Sequence, residues 1–223
     1  METEKINIIS RGSEGFSHRR EAGQRLSEYL AQYRDKNPLV LGVPRGGVVI
    51  AREIARQLQG ELDVTLARKL GSPGNPELAV GAVSENGRVF ISERLRGYAE
   101  DSYLEEEAAV QRKEIERRIA RYRQVRPKVS LEGRLVIVTD DGIATGATMQ
   151  AALWNAAQEG AQQVIAALPV APQEGVEKIA QSCDKVYCLL VPPLFSALSQ
   201  FYADFSQTSD DEVVRILTED KRF

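Results

Sequence analysis

Histidine occurs once in this chain, as His18, and cysteine twice, as Cys183 and Cys188. Neither cysteine belongs to a C-x-x-C pair and no histidine stands near them, so a zinc site lacks ligands; in their apolar stretch the two thiols read as buried and free. Long hydrophobic runs are missing too. None approaches the roughly 20 residues that span a bilayer, and the opening M-E-T-E-K-I-N-I-I-S-R has neither the apolar core nor the cleavage site of an export signal. The expected location is a reducing cytoplasm, without membrane partners. Charge of one sign is scarce: 29 basic residues face 32 acidic ones, and the net charge of -3 provides no field for holding nucleic acid. No Gly-, Pro- or Ser-rich linker divides the chain and no internal repeat occurs. What is present, 43% hydrophobic and 27% charged residues over 223 positions, suffices for one well-buried core.

Apolar β-branched runs at Leu39 to Val43 and Leu135 to Thr139 each lead into a glycine-bearing turn and an amphipathic helical pattern. Further strands are expected at Leu62 to Leu66, Gln163 to Val170 and Lys185 to Val191. Helices are expected near Val48 to Gln59, Met149 to Glu159 and Gly175 to Ser182. Such alternation predicts an α/β fold, a mainly parallel sheet with helices on both faces. Asn86-Gly87, flanked by alternating apolar residues, predicts a hairpin within Ala79 to Glu93. From Arg94 to about Arg126 a charge-dense segment carries Leu104, Ala108, Ile115, Ile119 and Tyr122 at helical spacing and ends at Pro127. It reads as one long structural helix, with Gly97 as the candidate point for a break. Phe16 to Tyr33 reads as a peripheral helix packing Leu26, Tyr29, Leu30 and Tyr33 inward, with His18 at the surface or as a cap.

One segment carries chemistry. In V-I-V-T-D-D-G-I-A-T-G-A-T, Val136 to Thr148, an apolar strand ends in Asp140 and Asp141, and Gly142, Ala144, Thr145, Gly146, Ala147 and Thr148 then open a helix. Small residues let a ligand approach the backbone, the N–H groups of a helix start bind a phosphate dianion, and Thr145 and Thr148 add hydroxyl donors. Two acceptor-only carboxylates beside that loop suit the vicinal hydroxyls of a sugar. Neither G-x-G-x-x-G nor G-x-x-x-x-G-K-[ST] occurs. The segment resembles the signature of the type I phosphoribosyltransferases for 5-phospho-α-D-ribosyl 1-pyrophosphate (PRPP).

The resemblance extends to two more loops and covers about Leu39 to Asp211. G-V-P-R-G-G, with Arg45, Gly46 and Gly47, is similar to the family's pyrophosphate loop; alone it also fits a plain strand-to-helix turn. A-R-K-L-G-S-P-G-N-P-E-L-A-V-G, from Ala67 to Gly81, is similar to a flexible catalytic lid that follows an Arg-Lys pair, here Arg68 and Lys69. Its Gly71, Pro73, Gly74 and Pro76 predict irregular structure, and an ordinary exposed turn is the alternative.

The resemblance implies one domain: a core over about 35–192, a hairpin and long helix inserted at about 79–126, and a hood from 1–34, 193–223 or both. It further implies transfer of the phosphoribosyl group from PRPP to a nitrogen acceptor, with Mg²⁺ carried largely by the substrate and Asp140 and Asp141 as candidates to touch it. Arg45, Arg68 and Lys69 would stabilise pyrophosphate. Ala144 to Thr148 would bind the 5-phosphate and the two acids the ribose. A homodimer is implied by analogy. The acceptor is not specified: A-L-P-V-A-P-Q-E-G lacks the lysine with which 6-oxopurine enzymes read their base. Phe195, Phe201, Tyr202 and Phe205 are candidates to stack on an acceptor or to fill the core, the latter being favoured for most. A sensor of PRPP or nucleotides without catalysis is the competing function.

Overall fold

The computed structural model describes residues 5–220. Six strands form one parallel sheet. In spatial order they are β1 (Ile6–Ser10), β9 (Lys185–Leu190), β8 (Gln163–Val170), β7 (Leu135–Thr139), β2 (Leu39–Gly42) and β3 (Glu61–Val64). The inner strands are short, β-branched and buried, as a sheet covered on both faces requires. Side chains alternate between two cores. Val40, Ile137, Ile165 and Tyr187 pack with residues of α1 (Arg19–Tyr29) and α2 (Gly46–Leu58). Leu41, Val136, Val138, Ala166 and Val186 pack with α4 (Ala147–Gln158) and α5 (Gln173–Ala180). The predicted α/β architecture is the one observed, and no helix among the described residues is long and apolar enough to cross a membrane.

Several expectations are corrected in detail. The lid segment is not irregular: β4 (Arg68–Ser72) and β5 (Asn75–Val83) pair antiparallel, and β6 (Val89–Ile91) extends them into a separate three-stranded sheet. Pro73 and Gly74, with Gly74 at φ +75°, make the tight turn between them. Asn86-Gly87 lies in the expected hairpin, within a five-residue loop between β5 and β6; Asn86 Oδ1 accepts from Arg88 N at 3.2 Å. The long helix α3 (Asp101–Tyr122) stops before Arg126, and a 3₁₀ segment, Glu93–Tyr98, takes the place of its first turns around Gly97. Leu104, Ala108, Ile115 and Tyr122 are buried along it as spaced. Tyr29 is 44% exposed, because α1 ends there and a 3₁₀ segment, Ala31–Lys36, resets the inward face to Leu30 and Tyr33. The segments assigned to the hood hold β1, which is an edge strand of the main sheet, α1, a 3₁₀ segment, Leu198–Phe201, and α6 (Asp210–Glu219). Residues 1–4 and 221–223 of that assignment lie outside the described residues.

The insertion is tied to the main sheet through charge. Arg123, just past α3, donates to Asp63 Oδ1 on β3 at 2.6 Å and to Glu85 Oε2 in the β5–β6 loop at 2.7 Å. Asp63 is almost wholly buried, and its other oxygen accepts from Val129 N at 3.1 Å. Tyr122 Oη donates to Asp210 at the start of α6.

Candidate active site

β2 and β7 are neighbours from which the chain departs in opposite directions, β2 to β3 on one side and β7 to β8 and β9 on the other. This reversal is the topological switch point, where open parallel sheets leave a crevice beyond the strands' carboxyl ends. The loop leaving β2 ends at Arg45, after which Gly46 and Gly47 open α2; the loop leaving β7 carries Asp140 through Gly146.

The two loops touch. A Cβ on Gly47 would lie 2.8 Å from both Asp140 Cα and Thr139 O, and one on Gly46 would collide with Asp141 Oδ2 and lie 2.8 Å from Arg19 Nε. Two glycines in succession are therefore a packing requirement: the start of α2 lies against the acid pair. The Pro44–Arg45 peptide is cis. Arg118 of α3 reaches the same loop, Nη1 to Pro44 O at 3.4 Å. Arg45 acts electrostatically on Asp210: burial alone would raise that carboxyl, but the Tyr122 hydrogen bond and the charges of Arg117, Arg45 and Arg121 bring it below its ordinary range.

Asp140 and Asp141 stand side by side, with Asp141 N donating to Asp140 Oδ1 at 2.8 Å. Burial, and after it the charge of Asp141, pushes the Asp140 carboxyl well above its ordinary range. Asp141 has a cation: Arg19 Nε and Nη2 both reach its Oδ2 at 2.8 Å. Tyr202 Oη donates to the Asp141 carbonyl at 2.6 Å, and burial, followed by the Asp141 charge, raises its phenol.

Beyond the acids, Gly142 takes φ +143° and packs against Leu198 and Val170, and Ile143 is buried as an anchor. Ala144 and Thr145 are exposed; Gly146 at φ +74° turns the chain into α4, whose first turn holds Ala147 and Thr148 with no acidic residue and no side-chain cap. Such a start offers backbone donors to an anion. Ala144 and Thr145 border a cavity of about 350 Å³ with Asn75 and Leu78 of β5 and with Lys178, whose Nζ lies 3.3 Å from Thr145 O. Thr148 borders a second, of about 220 Å³, together with Arg68 and Lys69. Arg68 Nε donates to Gln111 of α3 at 3.0 Å, and burial first and Arg118 second lower its pKa.

The family model for the phosphoribosyl transferase domain matches residues 17–206. The chain belongs to that family. Two Mycobacterium tuberculosis sequences, from strains CDC 1551 and H37Rv, are named provisionally as phosphoribosyl transferases. Each is 47% identical over 206 residues, covering 91% of this chain and 46% of the relative. The chain thus spans about half the length of the curated relatives it matches. The crystal structure of TT1426 from Thermus thermophilus is 50% identical, covers 92% of this chain and 98% of its own, and superposes with a TM-score of 0.88.

In this phosphoribosyl transferase domain all three loops singled out in the sequence gather around the switch point. The charge of Arg45 acts on Asp210 of α6, while Arg68 and Lys69 border one cavity with Thr148. His18 caps α1, its Nδ1 accepting from Glu21 N at 3.1 Å. Phe201 and Tyr202 are buried in the core, with Tyr202 also holding Asp141; Phe195 and Phe205 are partly buried.

Among the described residues no three His, Cys, Asp or Glu side chains gather to hold a metal. Two vicinal carboxylates fit a hard cation that arrives with most of its oxygens already supplied by a ligand and water. Sequence reasoning missed Arg19 and Arg118. Arg118 gave no local signal, since contact with Pro44 depends on how α3 packs. Arg19 gave one: it opens α1, where the helix dipole disfavours a cation.

Proposed function

We propose that this chain transfers the 5-phosphoribosyl group of PRPP to a nitrogen nucleophile, the ring nitrogen of a nucleobase, in a Mg²⁺-dependent reaction that releases pyrophosphate. The observation that carries the reading is the direct contact of the Gly46-Gly47 backbone with Asp140 and Asp141 at the switch point. A ribose diol on the acids then lies beside the backbone that would take the pyrophosphate.

In this reading Ala144 to Thr148 bind the 5-phosphate through the start of α4, and the two carboxylates orient the ribose hydroxyls. The bond from C1 to the pyrophosphate oxygen breaks as C1 bonds to the acceptor nitrogen, and the proton of that nitrogen passes to the departing pyrophosphate or to water. Positive charge spreads over the ribose ring while negative charge builds on the leaving group. The carboxylates oppose the first; Arg45, Arg68 and Lys69 oppose the second. Mg²⁺ bound with PRPP supplies further neutralisation of the pyrophosphate. The β4–β5 hairpin, which borders both cavities beside the phosphate loop, excludes water from a centre that water would otherwise capture.

The test is incubation with PRPP, Mg²⁺ and a panel of bases, following pyrophosphate release and nucleotide formation together. Release that depends on one acceptor supports transfer. PRPP binding without turnover for any acceptor would instead support the sensor, and release without a nucleotide product a hydrolase. A homodimer belongs to the same proposal, with α3 as the contact; light scattering at twice the chain mass of 24.7 kDa supports it, and a monomeric mass rejects it.

A further inference from the structure

Arg19 is placed where a structural ion pair has little reason to be. It opens α1, at a helix terminus that disfavours positive charge. Its side chain is 11% exposed, and two of its nitrogens, Nε and Nη2, are spent on the single oxygen Asp141 Oδ2. The third, Nη1, donates to Ser206 O at 2.8 Å, and the guanidinium lies 4.1 Å from the centre of the Phe205 ring. The rest of the guanidinium's surroundings hold it in place: Phe205 stacks on Tyr202 at 5.0 Å, and Tyr202 bonds the Asp141 backbone. Gly46 has no Cβ at the spot where one would strike both Asp141 and Arg19. The loop after β2, the acid pair and this one cation therefore converge on a single point.

We infer that Arg19 is a built-in counter-cation of the acid pair, a positioning residue that holds Asp141 in the ligand-free protein and gives it up when Mg²⁺-PRPP enters. The inference rests on the PRPP reading above. Two adjacent carboxylates in a partly buried crevice repel each other, and a guanidinium on one of them relieves that repulsion until a ribose diol and a substrate-borne cation replace it. The displaced side chain keeps its Ser206 and Phe205 contacts, so it moves toward the 202–206 segment rather than into bulk water. Donor binding is in this way weaker than the acid pair alone would give, and the site does not collect stray cations.

Arg19→Gln and Arg19→Lys test this by calorimetry with PRPP and Mg²⁺, alongside the Arg19 Nε–H NMR signal, assigned by its loss in Arg19→Lys. With the competitor removed, Arg19→Gln should bind Mg²⁺-PRPP roughly two- to fivefold more tightly than wild type, about what one partly exposed ion pair is worth. Arg19→Lys, which restores the charge, should return affinity toward wild type. In the wild-type protein the Nε–H signal should shift on adding Mg²⁺-PRPP. Weaker binding by a folded Arg19→Gln would overturn the inference and make the guanidinium a PRPP ligand; unchanged binding with an unmoved signal would reduce it to a structural pair. Absence of PRPP binding by the wild-type protein would remove the donor reading itself, and this inference with it.

Discussion

Asp140 illustrates what a binding site costs its own fold. Its carboxyl is raised by burial first and by Asp141 second, so the folded state holds its proton more tightly than the unfolded chain, where the pKa is about 3.9. A group of that kind binds more protons folded than unfolded, and stability therefore falls as pH rises from about 4 through the raised value. Asp140→Asn removes the term. Without ligand, the variant should melt about 2–4 °C above wild type at pH 7, the shift that roughly 1 kcal/mol produces in a chain of this size. The difference should close near pH 4; calorimetric melting across pH 4–8 measures it, and an equal gap at both ends would reject the assignment. The same substitution combined with Asp141→Asn should weaken PRPP binding at least tenfold while the fold is kept. Gly47→Ala makes the opposite kind of change. Its new Cβ meets the backbone of Thr139 and Asp140, which cannot step aside as a side chain could. A loss of about 1–3 kcal/mol in urea unfolding is expected, together with loss of pyrophosphate release.

The elements were legible in the sequence wherever their signals were local. β7 begins and ends at the residues its apolar run suggested, and α2, α4 and α5 fall within two residues of their amphipathic patterns. What escaped depended on distant partners. β1 is only I-N-I-I-S, and it becomes a strand by pairing with β9 some 180 positions away, Ile6 opposite Val186. The β4–β5 hairpin escaped for a different reason. Its glycines and prolines have the pattern of breakers, yet Pro73-Gly74 forms the turn, and the register shifts at Gly71, where a Cβ would lie 2.8 Å from Pro76 O. α3 contributes through its far end. Arg123 pairs Asp63 and Glu85 with both carboxylates largely buried. Arg123→Ala would leave Asp63 in the interior with its charge unmatched, at a cost of about 3–5 kcal/mol in chemical unfolding. Arg123→Met combined with Asp63→Asn and Glu85→Gln should recover part of that loss, because all three charges are then gone and an amide oxygen can still accept from Val129 N.

At the scale of the molecule, the site is assembled from segments that no single core joins. The loop after β7 belongs to the face of the sheet covered by α4 and α5, whereas the loop with Arg45 opens α2 on the other face, and Arg68 and Lys69 belong to a second sheet. Their order along the chain was readable because each follows a strand or carries a short motif. That β2 and β7 are neighbours, and so bring those motifs together, follows from sheet order, which periodicity does not encode. A ligand that spans all these segments binds only the folded arrangement, and its binding free energy adds to folding stability. At a PRPP concentration about 100 times its dissociation constant, with Mg²⁺ present, the stabilisation should be about 2.7 kcal/mol, or roughly 5–10 °C in melting temperature. Inorganic phosphate, which engages only the start of α4, should give a much smaller rise at the same concentration. The double variant Asp140→Asn with Asp141→Asn should lose most of the PRPP effect while retaining the phosphate one. A rise in the double variant equal to wild type would mean that the ribose is not held by the acid pair, and the phosphate loop alone would then account for binding.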